Sequence, residues 1–130
     1  VTANGERRWV DAVTIDVSDL DSGTAFWGGL LGLGEVKRRE QYAFLADFRP
    51  GVPLILQEVD DAKVAKNRMH FEVHSEDPPR TIAWVLENGG QQLEEHVTDW
   101  YSLVVMTDPD GNEFCVNNRP LTAPRDLRQQ

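Results

Sequence analysis

The sequence predicts an α+β fold made of two tandem βαβββ modules, and three observations predict it. The stretch "VDAVTIDVSDLDSGTAFWGGLLG" superimposes on "NRMHFEVHSEDPPRTIAWVLENGG" at one constant offset. That offset sets Asp19 on Asp77, Ala25 on Ala83, Phe26 on Trp84 and Gly32 on Gly90. Each copy opens with strict two-residue alternation of apolar and other side chains, the mark of a strand with one buried face. Three further strand-like runs follow each helical stretch. A βαββαβ order is excluded, because residues 35–73 must hold four strands between the helices.

Module 1 spans about residues 9–59. Val13, Ile15 and Val17 alternate with Ala12, Thr14 and Asp16. Asp19 is a helix N-cap, and Phe26, Trp27, Leu30 and Leu31 form the apolar stripe of the helix it starts. Gly32 and Gly34 end that helix. Strands are predicted over Glu35–Glu40, Tyr42–Phe48 and Pro53–Val59, the last two parted by the turn "RPGVP". The stretch "EVKRREQ" reads as a solvated edge strand, since Lys and Arg discourage edge pairing.

The polar segment "DDAKVAKN", residues 60–67, is the linker, and module 2 spans about residues 68–118. Met69, Phe71 and Val73 alternate with His70, Glu72 and His74. Asp77 caps the second helix and Pro78 takes its first position, where a missing N–H costs nothing. Ile82, Val85 and Leu86 form its apolar stripe, and Gly89 and Gly90 end it. Strands are predicted over Gln91–Asp99, Tyr101–Asp108 and Glu113–Asn117, with "DPDGN" as the last turn. Trp100 and Tyr101 lie in a connection whose two readings are the edge of a pocket and simple packing. Residues 119–130 form a polar, Pro-containing tail.

A chain of 130 residues suits one domain. Its formal charge of -9 argues against nucleic acid and anionic membrane surfaces as partners, and leaves neutral or cationic small molecules. The single cysteine excludes an intrachain disulfide and a multi-cysteine zinc site, and fits a reducing, cytoplasmic setting. The opening "VTANGERRWV" lacks the apolar run of a signal peptide, and no apolar stretch is long enough to span a bilayer. "GGLLGLG" lies within and after a helix, the wrong context for a dinucleotide loop.

Paired βαβββ modules carrying "VSDLDSGTAFWGGLLG", "NRMHFEV" and "DPDGNEFCV" resemble the vicinal oxygen chelate superfamily. That group includes glyoxalase I, extradiol dioxygenases, bleomycin-resistance proteins and small glyoxalase-like proteins. The resemblance covers about residues 9–118. It implies a cupped, mostly antiparallel sheet with the helices outside. In metal-dependent members it implies one ligand on the first and last strand of each module, His or Gln on the first and Glu on the last. The matching positions here are Ala12, Gln57, His70 and Cys115, and the constant offset pairs the same four.

A catalytic metal needs about three protein ligands. Ala12 offers no donor, Gln57 is neutral, and Cys115 is soft where a glutamate is implied. No metal cofactor is therefore expected. The alternative is a divalent ion on His70, Gln57 and Cys115, with Glu58 entering on a one-residue slip or Glu113 through a bulge. His70 and His74 cannot share an ion on a regular strand, being about 13 Å apart.

Alternation sends Ala12, Thr14, Ile55, Gln57, His70, Glu72, Glu113 and Cys115 to the face away from the helices, and these are the expected ligand-pocket residues. His70, Glu72 and Glu113 are the candidate acids and bases. Cys115 reads as a small buried hydrophobe, or as a nucleophile if His70 activates it. The expected function is binding of a small organic molecule without a catalytic metal, of the sequestration or resistance type. The alternative is a metal-dependent lyase, isomerase or dioxygenase of that superfamily. A homodimer is expected from the apolar excess of "AFWGGLLGL" and from the commonness of symmetric pairs.

Overall fold

Alternation becomes structure first in β1 (Val13–Val17), whose last residue is buried. Asp19 follows in extended conformation and accepts hydrogen bonds from the Ser22 backbone N–H at 2.8 Å and the Ser22 hydroxyl at 2.9 Å. These bonds hold the Asp19 carboxyl below its usual pKa, and they start α1 (Leu20–Leu31). Gly32 stops α1 at φ 69°, a conformation that favours glycine. β2 (Glu35–Arg39), β3 (Tyr42–Arg49) and β4 (Val52–Glu58) complete a sheet of order β1-β4-β3-β2. β1 runs parallel to β4, and the other pairs are antiparallel. Phe26 and Trp27 pack edge to face, centroids 5.4 Å apart. They are buried with Val17, Ala43, Leu45, Leu54 and Leu56, each large side chain contributing about 1.5–3 kcal/mol.

The computed structural model describes residues 3, 5, 11–97, 99 and 102–118. They fall into two compact units that divide between Ala62 and Lys63, inside the predicted linker. The second unit repeats the layout. It holds β5 (Phe71–His74), α2 (Pro78–Glu87), β6 (Gln91–Val97), β7 (Ser102–Thr107) and β8 (Glu113–Asn117). The sheet order is β5-β8-β7-β6, with β5 parallel to β8. Asp77 accepts from the Arg80 N–H at 3.3 Å, and Pro78 stands at the start of α2. Val85, Val104, Met106, Phe114 and Val116 are its buried core. Each unit is therefore an α+β module with a mixed four-stranded sheet, as the repeat predicts. Among the described residues, no helix is long and apolar enough to cross a membrane.

Two expectations need correction. Met69 is 85% exposed, because β5 starts only at Phe71 and cannot carry Met69 onto the core side. The constant offset also fails at the closing strands. Val13 lies opposite Leu54, whereas its counterpart Phe71 lies opposite Phe114. The second module is thus slid by two residues relative to the first. An even slide keeps every side chain on its own face, so alternation cannot reveal it. In register terms Cys115 corresponds to Ile55, and Gln57 to Asn117. Trp100, Tyr101 and the tail 119–130 lie outside the described residues.

Candidate functional site

In the first unit the face turned away from α1 carries Thr14 opposite Ile55 and Asp16 opposite Gln57. β3 adds Phe44 opposite Ile55 and Tyr42 opposite Gln57. The two rings lie 6.3 Å apart, tilted by 44°. All four of Tyr42, Phe44, Ile55 and Gln57 are half-buried. Ala12 is half-buried just ahead of β1. The sequence reading missed Tyr42 and Phe44, although their alternation with buried Ala43 and Leu45 was available as a signal. Glu58 pairs with Val17 and is exposed, so the one-residue slip that would turn it inward is absent from this register.

In the second unit the corresponding face carries Glu72 opposite Cys115 and His74 opposite Asn117. β7 sets Val105 against Cys115 and Leu103 against Asn117. Cys115 and Asn117 are buried, at 5% and 2% exposure, beside an exposed His70 and Glu72. The His70 Nε2 lies 2.9 Å from Glu72 Oε2. An ionised carboxylate only accepts, so Nε2 carries the proton when Glu72 is charged. The Asn117 side-chain amide donates to Glu72 Oε1 at 3.2 Å. Donor atoms of His70, Glu72 and Cys115 all lie within 4.8 Å of one another.

Glu113 is engaged differently. Its carboxylate accepts from Lys63 Nζ at 3.0 Å and from the Asn67 N–H at 3.0 Å. Burial pushes its pKa up, but the Asn67 N–H and Lys63 outweigh burial and hold the group below the usual carboxylate range. The charged form is therefore the one that favours folding. Its contribution is full at neutral pH and fades as pH falls through that lowered pKa. Glu113 thus ties the start of the second unit to β8 and is a poor proton acceptor near neutrality. A cleft of about 540 Å³ opens beside it, with Lys63, Lys66, Gln91, Thr107 and Asp110 among its walls. That volume suits a small organic molecule. His70, Glu72 and Cys115 do not line it.

The model of the glyoxalase-like domain matches residues 12–117. No curated protein sequence matches the chain. A glyoxalase/bleomycin resistance protein from Albidiferax ferrireducens is 24% identical, with 85% of this chain and 98% of that one aligned at a TM-score of 0.62. The fosfomycin resistance protein FosX from Listeria monocytogenes is 16% identical, with 90% and 98% aligned at 0.72. A mutant of that FosX, complexed with Mn(II) and 1S,2S-dihydroxypropylphosphonic acid, is 17% identical, with 96% and 100% aligned at 0.75. At such identities the likeness establishes the fold and leaves function to the residues themselves.

Proposed function

The chain belongs to the glyoxalase-like domain family, and on that premise we propose that it binds a small organic molecule on its open sheet face without the hard catalytic ion its resemblance implies. One observation carries the proposal. Buried Cys115 and Asn117 form a floor beside the exposed, hydrogen-bonded pair of His70 and Glu72. A face meant only for solvent would not bury a thiol, and an ordinary core would not hold an acid and an imidazole. The half-buried Tyr42 and Phe44 give the first unit's face an aromatic surface of the same kind. The net charge of -9 favours neutral or cationic ligands.

The implied hard-metal set does not fit these residues. Ala12 has no donor atom, Gln57 lies opposite Asp16, and the soft, buried thiol of Cys115 stands where a carboxylate is implied. No step is derived through such an ion. The 2.9 Å contact of His70 with Glu72 favours a second reading, a lyase or isomerase using this pair as acid and base.

The test screens neutral and cationic small organic molecules by thermal shift and measures hits by calorimetry. Both His70→Ala and Glu72→Gln are expected to weaken a hit about tenfold, roughly the 1.4 kcal/mol of one polar contact. Melting temperature should stay within a few degrees, because both side chains are exposed. Undiminished binding by both variants would contradict the site.

A cytoplasmic setting and a homodimer belong to the same reading. The single cysteine of the chain suits a reducing compartment, and α1 leaves Leu30 and Leu31 only half-buried. Light scattering should give twice the chain mass of 14.7 kDa, and a monomer mass at micromolar concentration would refute the dimer.

A further inference from the structure

We propose that the cleft of about 540 Å³ beside residues 63–66 is a binding site for a small zwitterion, a molecule carrying an ammonium and a carboxylate on an apolar body. It goes beyond the ligand reading above. Neither His70 nor Glu72 lines the cleft, so the two sites stand or fall separately.

Register builds the cleft. Gln91 lies opposite Thr107, and Thr107 opposite Glu113, so one row of residues across β6, β7 and β8 lines it. The segment 63–66 makes a second wall. Lys63 Nζ donates to the Glu113 carboxylate at 3.0 Å and also to the Ala65 carbonyl. The Asn67 N–H fixes the same segment to Glu113 at 3.0 Å. The turn 109–111 makes a third wall, and Asp108 holds it by accepting from the Asp110 and Asn112 N–H groups. The Lys63 stem reaches this turn: a Cβ on Gly111 would stand 3.6 Å from its Cδ. Walls fixed before a ligand arrives cost it little ordering entropy.

Thr107 points to a ligand. It is 6% exposed and lines the cleft, and its hydroxyl has no hydrogen-bond partner among the described residues. A buried hydroxyl left unpaired is costly, and a ligand oxygen in the cleft would accept its hydrogen bond.

The wall charges select the class of ligand. Lys63 and Glu113 cancel as an ion pair. Asp108 is 2% exposed, and its carboxylate is spent on its own turn. The walls then present one charge of each sign, Lys66 on the segment 63–66 and Asp110 on the turn. Asp110 is already engaged, but a carboxylate has about four acceptor sites, so an ammonium joins those contacts. A lone anion would meet Asp110 and a lone cation would meet Lys66, whereas a zwitterion answers both. It is also a net-neutral species that a chain of charge -9 does not repel. Its carboxylate fits Lys66 and the Thr107 hydroxyl, its ammonium fits Asp110, and its apolar body fits Leu93, a wall residue 51% exposed.

The experiment is calorimetry of the full chain with leucine, 4-aminobutanoate and 6-aminohexanoate, which set the two charges at increasing separation. Hexylamine and hexanoate are the single-charge controls. At least one of the three zwitterions is expected to bind with Kd below about 1 mM, and both controls at least about tenfold more weakly. Lys66→Met and Asp110→Asn should each weaken that zwitterion about tenfold, and Thr107→Val about fivefold. Lys66→Met and Asp110→Asn remove a charge and keep the side chain's bulk, so they carry the test even if Thr107→Val fails to fold. No binding by any of the three zwitterions, a single-charge control as tight as the zwitterion, or undiminished binding by any variant that folds would overturn the site.

Discussion

Gly90→Ala is expected to destabilise the second unit by about 3 kcal/mol. Gly90 is buried where the chain passes from α2 into β6. A Cβ there would stand 2.5 Å from the Thr107 carbonyl oxygen and closer still to the Val85 side chain. The oxygen is backbone at the end of β7, opposite Gln91 of β6, so it cannot retreat without opening the sheet. The Gly90 N–H is itself fixed to the Val85 carbonyl at 2.9 Å. Whole-domain stabilities are about 5–15 kcal/mol, so the loss is a large share. Urea unfolding should show the midpoint falling with its slope unchanged. Gly34→Ala is the control, since nothing lies within 4 Å of a Cβ at that position. Equal stability of Gly90→Ala and wild type would mean that the entry into β6 is not packed as described.

Asp108→Ala is expected to cost about 2–3 kcal/mol. Asp108 is 2% exposed and organises the turn that feeds β8. Its carboxylate accepts from the Asp110 N–H at 2.9 Å, the Asn112 N–H at 2.8 Å and the Asn112 side-chain amide at 2.9 Å. The backbone closes the same turn, Asp108 N–H to the Asn112 carbonyl at 2.9 Å and Gly111 N–H to the Asp108 carbonyl at 3.0 Å. Removing the carboxylate strands these donors in a part-buried turn. Asp108→Asn keeps one acceptor oxygen and should lose about half as much. Chemical denaturation of both variants checks the ranking, and an Ala variant no less stable than the Asn variant would contradict it.

Much of the fold is legible in the residues because its signals are local. Alternation in Val13–Val17 and Glu113–Asn117, together with the capping aspartates Asp19 and Asp77, fixes elements through contacts a few residues apart. The site is less legible because its contacts are not local. The two-residue slide of β5 against β8 leaves every face unchanged, so the sequence pattern is blind to the pairing of Glu72 with Cys115. Glu113 reads as an inward acid by phase, yet Lys63 and Asn67 claim it from the far end of the unit's sequence. That capture depends on the path of the linker, which no local propensity encodes. Met69 shows the opposite error. Its alternation is sound, but alternation has no force outside a strand, and β5 begins after it.

The most direct measurement is amide chemical-shift mapping of the ¹⁵N-labelled, chelator-stripped chain against a library of small neutral and cationic molecules. The largest shifts from a binding molecule are expected on the open face of the second unit, at residues such as Glu72, Leu103, Val105, Cys115 and Asn117. Shifts concentrated on the outer surfaces of α1 and α2, or no binding molecule in the library, would contradict that expectation.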